Sequence, residues 1–316
     1  MSEPPAVEVQ PHVHAYAESL GTFGIRWLST LPERVARVCQ HWTLQRGDVL
    51  SGGSRSYVCR VTTPNGQRAV LKVALPEATL QTQLRTLIAA KGNGYVHVLA
   101  HDLDEGALLM ESLATPVGNV EHDISRVLDV TTRTLRQAWQ VPRDVLGAEA
   151  TRGEYKAAGL LTLLQALGVP NADASSQAAV RQAIAYALDR LATHDPTRDV
   201  VVHGDAHAGN LLRVEHARAG AASGYVLIDP EGFLCEPEYD LGVAVRAWNE
   251  DLLAATNPTA RLRGWCEQVA EATDTNVEAI WQWAFIERVT TGLYLAHHGL
   301  PSLGAPFLRV AARLLA

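Results

Sequence analysis

Two textures divide this chain, and the place where they meet limits what it can fold into. Between residues 43 and 73 the apolar residues come in short runs: Val49-Leu50, then 57–61, then 69–73, each bounded by a turn signal. Runs of that length between Gly, Ser, Pro and Asn read as an antiparallel meander. Asn65-Gly66 separates two of them, and both residues tolerate the positive φ of a tight hairpin. A helix is expected after Pro76 on the spacing of Leu80, Leu84, Leu87 and Ile88, then strands at 96–100 and 107–110 around Asp104-Glu105-Gly106. Beyond Leu113 the apolar period becomes helical. Asn119 offers an N-cap for a helix with Ile124, Val127, Leu128, Leu135 and Trp139 on one stripe. Further helices are expected over 156–167, 176–193 and the chain from Asp240 on, interrupted earlier by short buried strands at 199–202 and 224–228. Another helix leads, over 24–42, with Ile25, Leu28, Leu31, Val35 and Val38 spaced for one face. The expected class is therefore α+β: an extended or frayed arm over 1–20, a strand-rich N-lobe over 21–115 and a helical C-lobe over 116–316, with Pro116 and Gly118 breaking structure at the boundary.

Composition removes several kinds of function. A net charge of −7 and no Lys/Arg cluster interleaved with aromatics argue against nucleic acid. No uninterrupted apolar run approaches the ~20 residues of a membrane span, and residues 1–10 lack the basic and apolar regions of a secretory signal. Cys39, Cys59, Cys235 and Cys266 have no C-x-x-C spacing and read as reduced thiols of a cytoplasmic protein. The pairs His12/His14 and His297/His298 have no third ligand at a metal spacing and read as surface residues.

The chemistry lies in four motifs. In Val201-Val202-His203-Gly204-Asp205 a buried strand delivers an acid, and Asn210 follows five residues later across a glycine-containing loop. In Tyr225-Val226-Leu227-Ile228-Asp229-Pro230-Glu231 a second strand delivers a second acid. Phosphoryl transfer uses such parts: one carboxylate to accept a hydroxyl proton, and a carboxylate and an amide oxygen to hold Mg²⁺ against phosphates. The spacing from Asp205 to Asn210 equals that in H-R-D-x-x-x-x-N. Lys72 stands in an apolar strand and needs an anionic partner. Ser51-Gly52-Gly53-Ser54 lets backbone N–H groups approach phosphates, although no G-K-[ST] follows to make it a Walker loop. Each motif alone is also ordinary turn or strand chemistry. Their order along one chain is what carries the reading.

That order and wording resemble the aminoglycoside phosphotransferase superfamily, with its protein-kinase-like two-lobe fold, and within it the streptomycin 6-kinase (aminoglycoside/hydroxyurea antibiotic resistance kinase) group. The resemblance covers most of the chain, including Leu71-Lys72-Val73, the Asp205 loop, Asp229-Pro230-Glu231 and residues 236–241. It implies an enzyme that moves phosphate from ATP, or GTP, to a hydroxyl of a small cationic antibiotic, with Asp205 as base and Asn210 and Asp229 on Mg²⁺. It further implies Lys72 on the α/β-phosphates, residues 111–113 (Glu111 and Leu113 at its ends) as the hinge meeting adenine, Met110 behind the adenine pocket, and His207 and Asp240 bracing the catalytic loop. A monomer or weak dimer is expected. One departure stands out: the helix after Lys72 offers Glu77 early but Gln81 and Gln83 where a partner acid would sit, so either Glu77 or a glutamine serves Lys72. For a cationic acceptor the candidate acids are Glu231, Glu236 and Glu238, with Asp251 a weaker choice. A protein kinase is disfavoured because Asp229 is followed by Pro-Glu rather than Phe-Gly. A silent nucleotide-binding module would lack the base, the metal acid or the lysine. Another hydroxylated acceptor, such as hydroxyurea or a peptide antibiotic, stays open.

Overall fold

Alternation along the third strand sets the architecture of the N-lobe. In the computed structural model, which describes residues 7–50, 55–75, 79–147, 153–168 and 174–316, helices α1 (Pro11–Ser19) and α2 (Thr22–His41) precede strands β1 (Gln45–Val49), β2 (Ser56–Thr62) and β3 (Arg68–Ala74). Helix α3 (Thr79–Ala90) leads to β4 (Val98–Asp102) and β5 (Ala107–Glu111). The five strands form an antiparallel sheet in the order β1-β2-β3-β5-β4. Successive side chains of a strand point to opposite faces. Ala69, Leu71 and Val73 therefore join one apolar cluster with Trp27, Leu31, Val35 and Val38 of α2, while Val70, Lys72 and Ala74 face the cleft below.

The leading segment differs from the sequence expectation. Residues 11–19 are helical rather than an extended arm, with Pro11 at the first helical position and Val13 and Ala17 buried in the same cluster. In α2 the buried stripe uses Trp27 in place of Ile25, which is exposed. In the β2–β3 hairpin only Gly66 takes a positive φ, +80°.

The chain leaves the sheet through β6 (Leu113–Pro116) and enters α4 (Ile124–Ala138), α5 (Gly153–Leu167) and α6 (Ala174–Thr193). Helix α4 is capped by Asp123, whose side chain accepts from Ser125 N at 3.0 Å, not by Asn119. Four short strands follow: β7 (Val200–Val202), β8 (Leu211–Val214), β9 (Tyr225–Leu227) and β10 (Phe233–Cys235). β7 pairs with β10, and β8 lies between β6 and β9. Helices α7 (Glu238–Val245), α8 (Asn249–Ala254), α9 (Pro258–Thr273), α10 (Val277–His297) and α11 (Pro301–Arg313) complete the fold.

α10 is buried nearly all round, through Ile280, Trp283, Phe285, Ile286 and Val289, as expected of a helix at the centre of a lobe. No helix of the described residues is long and apolar enough to cross a membrane. The lobes share backbone hydrogen bonds as well as a core: Leu227 N donates to Gly94 O and Val96 N to Leu227 O, both at 2.9 Å. Gly94 makes this approach possible, because a Cβ there would lie 2.5 Å from Ala138 N. All four cysteines are free thiols, and burial raises the pKa of Cys59 to about 11 and of Cys266 to about 12.

The two-faced β3 makes a measurable claim. Leu71 is fully buried on the helix side, so Leu71→Ala is expected to cost about 2–5 kcal/mol of N-lobe stability. Urea unfolding monitored by tryptophan fluorescence would detect this, and an unchanged midpoint would mean that α1 and α2 do not pack on this sheet.

Candidate active site

The loop after β7 is shaped around one buried carboxylate. Asp240, near the start of α7, is fully buried. Its Oδ2 accepts from His203 N at 2.8 Å and Trp139 Nε1 at 2.9 Å, and its Oδ1 accepts from Gly204 N at 2.8 Å. Burial pushes the Asp240 carboxyl above its ordinary pKa, against the opposing pull of His203 and these three donors. His203 adds a second brace. Its Nδ1 accepts from Asp205 N at 3.0 Å, so its Nε2 carries the proton and donates to Ile228 O at 2.7 Å. One imidazole thus ties the loop after β7 to the end of β9. Gly204 has φ +90°, and a Cβ there would stand 2.8 Å from both Glu231 Cβ and Phe233 Cε1. Only glycine fits.

This bracing presents Asp205 to the cleft. Its Oδ1 meets Arg246 Nη2 at 2.7 Å. Its Oδ2 faces His207 Nε2 at 3.5 Å and Asn210 Nδ2 at 3.4 Å. His207 Nδ1 accepts from Gly209 N at 3.0 Å, which leaves the Nε2 proton directed at Asp205. Burial would raise the Asp205 pKa, but the His207 hydrogen bond and the Arg246 guanidinium outweigh it and hold the carboxyl well below the usual carboxylate range.

Across the loop β9 delivers Asp229 in the left-handed region, φ +55°, a conformation aspartate tolerates better than most residues. Asp229 Oδ1 lies 2.7 Å from Lys72 Nζ, so the β3 lysine reaches across the cleft to the end of β9. Lys72 Nζ also donates to Gln83 Oε1 at 3.2 Å, and Gln83 Nε2 donates to Pro230 O at 3.1 Å. A glutamine is therefore a partner of Lys72. Glu77 lies outside the described residues, as do Ser51, Gly52, Gly53 and Ser54.

Lys72, Met110, Glu111, Leu113, Asp205, His207, Asn210, Asp229 and Glu231 all line one cleft of about 930 Å³ between the lobes. The donor set suits Mg²⁺. Asn210 Nδ2 donates to Asp205 O at 2.9 Å, which turns its amide oxygen to other use, and the Asp229 carboxylate is partly exposed beside it in the cleft wall. Among the described residues no three His, Cys, Asp or Glu side chains gather as a ready cage. Mg²⁺ fits such a place because it uses one or two protein oxygens and completes its shell with phosphates and water.

The acids proposed for a cationic acceptor divide. Glu231 lines the cleft, but its Oε2 is 3.0 Å from Lys156 Nζ of α5, whose ammonium also lies over the Phe233 and Tyr239 rings at 4.9 and 5.2 Å. Glu236 and Glu238 do not reach the cleft. Glu236 accepts from Trp283 Nε1 at 2.7 Å and pairs with Arg190 at 3.3 Å, and Glu238, with no exposure, pairs with Arg198 and accepts from Asn276 N at 3.0 Å. They are interior acids that tie the start of α7 to α6 and α10. At the end of β5, Glu111 N–H is already donated to His97 O at 3.0 Å. Its carboxylate is held in a fork by Arg218, which also donates to Gly92 O and Tyr95 O. Sequence reasoning missed Arg246, Lys156 and Arg218. Each meets its partner only through a long-range contact, with no local spacing to signal it.

An antiparallel N-terminal sheet, a helical lobe and this cleft between them define the protein-kinase-like fold. An aminoglycoside phosphotransferase from Streptomyces rimosus, solved in complex with ADP and streptomycin, has that fold: TM-score 0.55, 14% identity, 83% of this chain and 98% of that one covered. The sequence model of the aminoglycoside/hydroxyurea antibiotic resistance kinases matches residues 41–299, and the chain belongs to that family. A streptomycin 6-kinase of Streptomyces griseus is 26% identical over 313 residues, 96% of this chain and 97% of its own length. A hydroxyurea phosphotransferase of Kitasatospora aureofaciens is 30% identical over 230 residues, covering 70% of this chain and 62% of its own.

Asp240→Asn is the sharpest test of the loop bracing. It would place an amide NH₂ against N–H donors and leave at least one buried partner unmet, at a cost of about 1–3 kcal/mol. Thermal unfolding should show a lower midpoint with phosphoryl transfer reduced in the same variant. A midpoint equal to the parent's would remove Asp240 from this role.

Proposed function

We propose that this chain transfers the γ-phosphoryl group of ATP to a hydroxyl of a cationic aminoglycoside, with streptomycin the acceptor to test first. The observation that carries the reading is the convergence of Lys72, Asp205, Asn210 and Asp229, from three separate segments, on one interlobe cleft. Family membership and the near full-length match to a streptomycin 6-kinase support the choice of acceptor. Solved proteins of this fold in complex with ADP support the choice of donor.

In this reading the acceptor hydroxyl oxygen attacks the γ-phosphorus, its proton passes to Asp205, and the bond to the β-phosphate oxygen breaks with its electron pair leaving on ADP. The transition state of such transfers is loose, so the proton is lost late and a base of depressed pKa suffices once it is well placed. Lys72 contributes a positive charge for the phosphates. Mg²⁺ held by Asn210 and Asp229 would neutralise charge on the transferring and leaving groups. Glu231 lines the same cleft two residues beyond Asp229 and is the acid offered to an acceptor cation. Lys156 already answers one of its oxygens, so its pull on a guanidinium is weaker than that of a free carboxylate.

Purified protein, ATP and Mg²⁺ should add one phosphate to streptomycin, read by mass spectrometry. Transfer to a neutral hydroxylated acceptor but to no cationic antibiotic would refute the acceptor and keep the kinase. Asp205→Asn should reduce turnover by roughly 10²–10⁴-fold, the usual contribution of a general base. Retention of a tenth of the parent's turnover would exclude that role.

Glu231→Gln should raise the acceptor KM by about tenfold, the low end for a lost charge-assisted hydrogen bond, with the KM for ATP unmoved. Equal acceptor KM values at low and high salt in both proteins would mean that Glu231 serves only Lys156.

A further inference from the structure

The carboxylate of Asp205 is approached from two sides, and only one of them is the cleft. His207 and Asn210 reach Oδ2 from the cleft wall. Arg246 reaches Oδ1 from the interior of the C-lobe and is not among the cleft-lining residues. Arg246 is itself held at both ends by two consecutive residues of α10. Glu287 Oε2 accepts from Arg246 Nη1 at 2.9 Å, and Tyr239 Oη donates to Glu287 Oε1 at 2.6 Å. Arg288, with no exposure at all, donates to Arg246 O at 2.8 Å and Val245 O at 3.2 Å, the carbonyls left open at the end of α7. Trp248, just beyond, takes φ +64°, so the chain turns sharply after the held residues.

A guanidinium has a planar fork of donors. Here the fork spans two carboxylates, one fixed on the central helix and one on the catalytic loop. Its direction is set by Glu287, and Arg288 sets the position of its backbone.

We propose that Arg246 is the positioning residue of the base: braced by Glu287 and Arg288, it pins Asp205 Oδ1 and thereby turns Oδ2 toward the acceptor hydroxyl. This rests on the reading of Asp205 as the base of a phosphotransferase. Nothing in the role requires Arg246 to touch either substrate. Its loss should therefore appear in kcat and leave the binding of ATP to the cleft residues that provide it.

The test is steady-state kinetics on the full chain with streptomycin and ATP, using R246Q, R246K, E287Q, the double variant R246Q/E287Q, and D205N as the reference. R246Q should lower kcat by about 10²-fold, the loss expected when a reacting group is misplaced by an ångström or so, with the KM for ATP within about threefold. R246K, which keeps one charged donor, should recover part of that loss. E287Q should fall between the parent and R246Q. The double variant should match R246Q to within about twofold, because a brace has no effect once the residue it braces is gone. Parent-like kcat in R246Q overturns the proposal. So does a pattern in which R246K is as damaged as R246Q and the E287Q loss adds in full, since that is what general loss of packing produces. If D205N retains turnover, the reading of the whole site falls and this proposal falls with it. If D205N is inactive while R246Q is not, only the role of Arg246 is lost.

Discussion

A carboxylate with no exposure, facing three N–H donors, is the constraint on which this site depends. Asp240 receives its three donors from two places in the chain: Trp139 just after α4, and the backbone of His203 and Gly204 beyond β7. An unmet buried acid is expensive, and so is an unmet buried N–H. Each therefore fixes the other. Once His203 and Gly204 are held, the next residue has little freedom, and the sharp turn at Gly204 projects Asp205 into the cleft. The His203 imidazole then carries the constraint to Ile228, one residue before Asp229. The separation of Asp205 and Asp229 is thus set largely by backbone and imidazole hydrogen bonds rather than by their carboxylates.

The same economy of charge runs through the C-lobe. Glu236, Glu238, Glu287 and Arg288 are all buried, yet each has a partner of opposite charge or a polar group close by. Burial lowers the Arg288 pKa to about 10, which still leaves it charged at neutral pH to hold the end of α7. Isolated charges in such places would cost several kcal/mol each. Paired and hydrogen-bonded, they fix α7 against α6 and α10, and α7 in turn carries both Asp240 at its start and Arg246 at its end. The Asp205 loop is gripped from the two ends of one short helix.

Much of this was legible in the sequence, and what was not has a physical reason. The order Lys72, Asp205, Asn210, Asp229 was readable because each residue sits at a fixed offset from a β-prone run, and local pattern determines which way such a side chain points. Strands β6, β8 and β10 were not foreseen: β6 includes Thr115 and Pro116, β8 includes Arg213, and β10 is only Phe233-Leu234-Cys235, so none offers the longer apolar lead into an acid that marks β7 and β9. Residues 11–19 lack a clear stripe and begin with proline and two histidines, so their helix emerges only from packing against the sheet. Glu236 and Glu238 illustrate the harder limit. A run of acids on paper looks like a solvated face, and only the folded chain brings Arg190, Arg198 and Trp283 to it. Arg246 stands 41 residues from Asp205 in the chain, and no spacing rule connects them.

Gln83 shows how a departure from an expected pattern can be consistent chemistry. An acid at that position would pair with Lys72 but could offer nothing to Pro230 O while ionised. The amide does both, accepting from Lys72 Nζ through Oε1 and donating to Pro230 O through Nε2. It therefore links α3 to the lysine and to the segment that follows Asp229 with a single neutral group. Lys72 and Asp229 cancel, and a glutamate at position 83 would leave this corner of the cleft at net −1, repelling the triphosphate that Lys72 is proposed to meet. With glutamine the corner is neutral. In a chain of net charge −7, omitting one acid from the wall that would receive a polyanion is a gain in long-range attraction as well as in local fit.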